Sequence, residues 1–176
     1  MSSGESHERL DRLLPSGETD LRVEVFVHSL APVGCKEKQD TLVERLRALV
    51  ADGELADIDL HVWGDSVATG GPLAEVGAGE RISAAIGEFY ELAAKTDVSI
   101  SPFFRISKVT SSVTDESFRR IVPPHCCIAL YAEDELVGVF PSLIDGVACT
   151  PDDAVAYLEA RTPSELPSQI LADDRP

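Results

Sequence analysis

A chain of 176 residues, 44% of them apolar, can bury one hydrophobic core and is too short for two comfortable domains. No apolar run approaches the ~18 residues that span a bilayer, and the start MSSGESHERLDRLL lacks a basic segment followed by an apolar one, so a cytoplasmic protein without a membrane partner is expected. Thirty-one acidic residues against fifteen basic ones give a net charge of -16, which argues against generic affinity for nucleic-acid phosphates.

The basic residues are four lysines and eleven arginines. Acid excess with few lysines suits a cytoplasm of multimolar salt, where self-repulsion is screened within ~3 Å and carboxylates keep the surface hydrated. The composition therefore reads as haloarchaeal. Cys35, Cys126, Cys127 and Cys149 form no CxxC pair, so neither a zinc ribbon nor a dithiol motif is present in the linear sequence.

Residues 1–20 are polar, end in PSGETD and read as a flexible leader. Val23, Val25 and Val27 alternate with Glu24, Phe26 and His28, a strand with two largely apolar faces that belongs inside a sheet. From Lys36 to Ala51 the apolar residues Leu42, Val43, Leu46, Leu49 and Val50 recur with a helical period. Asp52-Gly53 ends that helix, the glycine supplying a left-handed residue. Ile58, Leu60 and Val62 alternate with Asp59, His61 and Trp63 as a second strand, parallel to the first through a right-handed crossover. GDSVATGGPLAEVGAG reads as an exposed loop without a P-loop or dinucleotide pattern. A helix over Glu80–Lys95 follows, burying Ile82, Ile86, Phe89 and Ala93.

VSISPFFRISKVTSS reads as extended, and TDESFRRI as a short helix opened by Thr114. CCIALYAEDELVGVF is a hairpin of strands 126–132 and 136–140. In TPDDAVAYLEAR, Thr150 is the N-cap, Pro151 the first helical residue, and Asp152 and Asp153 sit favourably on the helix dipole. TPSELPSQILADDRP, residues 162–176, reads as a frayed tail. The order β-α-β-α-(extended)-β-β-α describes one layered α/β domain over 21–161 with a four- or five-stranded mixed central sheet.

Two resemblances follow from these stretches. VFVHSLAPVGCKEKQ and the proline-led PPHCCIALYAEDELVGVF resemble the thioredoxin-like fold. That resemblance implies that Cys35-Lys36 matches the second cysteine of the family's CxxC and the lysine after it. Pro32 then stands where the nucleophilic cysteine would be, and Pro123 or Pro124 would be the cis proline. VEVFVHSLAPVGCKEKQDTLVERLRALVADGELADIDLHVWGDSV resembles small haloarchaeal proteins catalogued as helix-turn-helix domain proteins of undefined function. It implies transcription regulation, with the helix as reading element and Arg45 and Arg47 as DNA contacts. The polar face of that helix mixes Lys36, Lys38, Arg45 and Arg47 with Glu37, Asp40 and Glu44.

Cys35 is the candidate reactive residue, because free N–H groups and the dipole at a helix N-terminus favour a thiolate. His125, Cys126 and Cys127 are the candidate neighbouring site, Cys126 as a resolving thiol. Cys126 and Cys127 point to opposite faces of a strand, whereas His125 and Cys127 share one and could join Cys35 around a metal. Trp63, Tyr90, Phe103 and Phe104 could line a small-molecule cleft, and core packing is the expected role. No pattern calls for a cofactor. The expectation is a non-catalytic binding or regulatory module, with a protein partner ahead of DNA. The alternative is a thiol-dependent redox protein or sensor using Cys35.

Overall fold

The computed structural model describes residues 8–12, 20–28, 33–64, 67–69, 78–110, 112–113 and 117–161. Strand β1 (Leu21–His28) leads into helix α1 (Val33–Ala51) and returns as β2 (Asp57–Trp63), parallel to β1. β3 (Val67–Thr69), helix α2 (Ala78–Lys95) and β4 (Val98–Ser99) follow, then β5 (Arg105–Thr110) and β6 (Ser117–Val122). The chain goes on through β7 (Cys126–Ala132), β8 (Glu135–Phe140), β9 (Ser142–Ile144) and β10 (Val147–Cys149) to helix α3 (Pro151–Arg161).

The central sheet has the order β2-β1-β7-β8. β1, β2 and β8 run one way and β7 the other, a mixed sheet as expected. β1 is interior because both its faces are apolar: Val23, Val25 and Phe26 are fully buried. α1 and α3 pack on one face of the sheet. α2 covers the other, where Phe89 meets Phe26 edge-on at 5.7 Å and Trp63 stacks on Phe26 at 5.0 Å. Phe104 closes this aromatic cluster, so Trp63 and Phe104 belong to the core.

Local chemistry accounts for the element ends. Gly53, at φ 83°, takes the left-handed place after α1, and its N–H donates to the Val50 carbonyl. At α3, the Asp153 N–H donates to Thr150 Oγ1 at 3.1 Å, while the Thr150 N–H donates to Asp153 Oδ2 at 2.9 Å. This reciprocal capping pair satisfies two otherwise orphaned donors. Glu133 and Asp134, both at positive φ, turn β7 into β8. Among the described residues no helix is long and apolar enough to cross a membrane.

Three expectations are corrected. Residues 117–122 form a strand, not a helix: β6 pairs antiparallel with β5 along its whole length and with β3. Cross-strand pairing outweighs the local helix-start signal of Thr114, which lies outside the described residues. The cis peptide lies at Phe140-Pro141, not at Pro123 or Pro124. Within the leader, residues 8–12 form a helical turn that is docked on the domain. Leu10 is buried there, Tyr157 Oη donates to Asp11 Oδ1 at 2.7 Å, and Arg12 pairs with Asp145.

Candidate functional site

At the C-terminal end of β1 the N-termini of α1 and α3 converge on the start of β7. Between them lies a cleft of about 210 Å³, walled by Cys35, Gln39 and Leu42 of α1, by His125 and Cys126, and by Asp152 of α3. Cys35, His125 and Cys126 are thus brought together, although ninety residues separate them in sequence. Cys127 is not part of the cleft. It pairs with Phe26 on the α2 face of the sheet and is fully buried. The anticipated grouping of Cys35, His125 and Cys127 is therefore split by the sheet, and among the described residues no three His, Cys, Asp or Glu side chains are placed to hold a metal.

The wall carrying His125 is tightly held. Its backbone carbonyl accepts from Gln39 Nε2 at 2.7 Å and from the His28 N–H at 2.9 Å. The preceding carbonyl, of Pro124, accepts from the Trp63 indole N–H at 3.1 Å. Gln39, buried in the first half of α1, is a positioning residue that sequence reasoning missed. Its signal was available, because it lies on the same helical stripe as Leu42, Val43 and Leu46. Behind Pro124 and His125 opens a second, more polar concavity of about 400 Å³, with His28, Phe103 and Arg105 in its lining.

The thiols of the site are not equivalent. Burial, together with the Asp152 carboxylate, pushes the Cys126 thiol up to about 12. It is therefore protonated and weakly nucleophilic at neutral pH. Burial drives Cys127 well above the ordinary thiol range. Cys35 is half-buried in the first turn of α1, and all four cysteines are free thiols. Chemically the cleft offers a small recess with Leu42, Pro124 and Pro151 in its walls, and polar groups from Lys38 and Asp152 beside them.

The two arginines assigned to DNA reading have different fates. Arg45 donates from Nη2 and Nε to the Glu159 carboxylate at 2.6 and 3.1 Å and lies 3.6 Å from Asp152, which ties α1 to α3. Arg47 is exposed. Leu42, Val43, Leu46 and Leu49 of α1 are buried, and the helix stands between two strands rather than after another helix. Other exposed cations stand on the β5–β6 ribbon: Arg105 and Arg120 on one face, and Lys108 on the other, opposite Arg119 in the register. Strand pairing brings Arg105 and Arg120 to a common face from distant positions, so no run of basic residues announces that pair.

A family model described as "Helix-turn-helix domain" matches residues 15–163. Searches of the curated proteins and of the solved structures find no match.

Proposed function

Because this chain belongs to the helix-turn-helix domain family on a match over most of its length, we propose that it is a non-catalytic binding and regulatory module of a halophilic cytoplasm, acting in transcription. One observation carries the non-catalytic reading. The cleft that unites Cys35, His125 and Cys126 holds a thiol pushed to about 12 and a recess with several apolar side chains in its walls. Such a recess suits the side chain of a protein partner better than nucleophilic chemistry. Burial of the α1 apolar stripe and the pairing of Arg45 support a regulator that does not insert α1 into a groove. Contact with DNA uses exposed Arg47 or the cations of β5 and β6. A thioredoxin-like core is supported by the order β2-β1-β7-β8 with β7 alone reversed, and by two helices on one face and one on the other.

The second reading, a thiol-dependent redox protein or sensor, is favoured by one observation: Cys35 and Cys126 line the same cleft. One experiment separates the two. In the native host, transcript levels are compared after deletion and after complementation with wild type, Cys35→Ser and Cys35→Trp. The binding reading expects altered transcripts that wild type and Cys35→Ser restore and Cys35→Trp does not, because only the indole fills the cleft. Failure of Cys35→Ser as well would give the site to the thiol. Restoration by all three would remove function from the cleft. Unchanged transcripts on deletion would refute the regulatory role.

A further inference from the structure

The central sheet has two edges, and they are built differently. β8 is covered along its second half, with Gly138, Val139 and Phe140 buried, and its pairing with β7 is broken by a register shift at Leu130/Tyr131. β2 has none of this. It is seven residues long, unbroken and free of proline, and among the described residues it pairs with β1 alone. Leu60 and Val62, on the face that carries α1, are 48% and 52% exposed. A regular edge with open backbone groups and exposed apolar side chains is a template for another strand.

We propose that β2 is the interface of a symmetric homodimer, in which the β2 strands of two copies pair antiparallel about a twofold axis at Leu60 and join two four-stranded sheets into one of eight. The sequence of β2, DIDLHVW, selects that register. An antiparallel pair about a perpendicular twofold keeps like faces together, so partners carry numbers that add to 120. Leu60 then faces Leu60 of the other copy, Ile58 faces Val62, and Asp59 faces His61. The apolar row of one copy continues into the other, and each Asp59 meets an imidazole while Asp57 lies opposite Trp63. Sliding the axis to Asp59 sets two aspartates against each other. Sliding it to His61 sets two histidines together and removes both acid–imidazole pairs. The charged face thus rejects the neighbouring registers while the apolar face supplies adhesion. Mutual repulsion between two chains of net charge -16 is screened by salt, whereas apolar contact and backbone pairing are not, so KCl favours the dimer.

Sedimentation of the full chain at rising KCl tests this. The expected result is a species of twice the 18.9 kDa chain mass, its fraction rising with salt. Leu60→Glu sets two carboxylates face to face and is expected to give a monomer with unchanged far-UV circular dichroism, because Leu60 contributes little to the core. Register is read by a short thiol cross-linker in a background of Cys35→Ser and Cys126→Ser. Leu60→Cys is expected to cross-link alone. Val62→Cys links only when mixed with Ile58→Cys, since like positions then lie roughly 13 Å apart along the strands. A monomer at every concentration and salt would overturn the proposal. So would a dimer indifferent to Leu60→Glu, or efficient cross-linking by Val62→Cys alone.

Discussion

Replacing Arg81 by methionine probes the buried charge cluster beneath α2. Glu24, on the interior strand β1, is only 4% exposed. Arg81 Nη2 donates to both its oxygens at 2.6 and 2.7 Å, and Arg22 Nη1 donates to Oε2 at 2.7 Å. His61 Nε2 lies 3.2 Å from Oε1, and Arg81 also donates to Tyr131 Oη at 3.2 Å. Burial pushes the Glu24 carboxyl up, but the two guanidinium groups push it further down, and it rests below its ordinary 4.5. Removing one partner of a fully buried pair costs ~3–5 kcal/mol. Arg81 is 38% exposed and Arg22 stays in place, so about 2–3 kcal/mol is expected, roughly a hundredfold in the folding equilibrium. A urea titration in concentrated KCl measures it. Because the folded carboxyl is depressed, its contribution is complete above the ordinary carboxylate value and is lost as pH falls through the folded one. The deficit of Arg81→Met is therefore full at neutral pH and narrows in acid. The double variant Glu24→Leu/Arg81→Met should regain most of the loss, since an apolar pair needs no compensation. A deficit below ~0.5 kcal/mol, or one that adds to that of Glu24→Leu without coupling, would refute the reasoning.

Three further outcomes follow from geometry already described. In Cys35→Ser, alkylation of the remaining thiols, followed by mass spectrometry, should be slow at neutral pH and climb without a plateau near 9, because Cys126 ionises only toward 12. A plateau near 9 would place that thiol in water. Arg45→Ala should cost about 0.5–1 kcal/mol in a urea titration, since its partners are partly exposed and salt screens them. DNA affinity measured by fluorescence anisotropy should be unchanged, and a large loss would restore Arg45 as a reading residue. Thr150→Ala removes the capping pair of α3 and should cost ~1 kcal/mol, with faster amide exchange at Ala154 and Val155. Exchange at the wild-type rate would contradict the cap.

The β1-α1-β2 unit was legible because its periods are clean. Alternating valines, a helical leucine stripe and Asp52-Gly53 each state their local structure, and the crossover rule supplies the parallel pairing. The β7–β8 hairpin and the Thr150 cap were legible for the same reason. β6 was not, because Thr-Asp-Glu-Ser imitates a helix start while the pairing that makes it a strand comes from β5, which starts twelve residues upstream. The Asp145-Gly146 turn, with both residues at positive φ, joins β9 to β10. Its Asp-Gly signal lay in plain sight and was overlooked. The site was half legible. Cys35, His125 and Cys126 were singled out one by one, but their convergence depends on β7 lying antiparallel to β1 with register Val27↔Cys126. No local pattern encodes that. The same register sends Cys127 to the other face and dissolves the metal grouping.

The bond from Trp63 to the Pro124 carbonyl has a practical consequence. Trp63 is the sole tryptophan of the chain, and its indole N–H ends on the wall shared by the two concavities. Intrinsic emission excited at the red edge of the spectrum therefore comes from this joint and nowhere else. A molecule that displaces Pro124 or His125 breaks an indole hydrogen bond in a buried aromatic cluster, which shifts the emission maximum and its lifetime. The protein thus carries a label-free optical gauge, already seated at the place where occupancy would be felt.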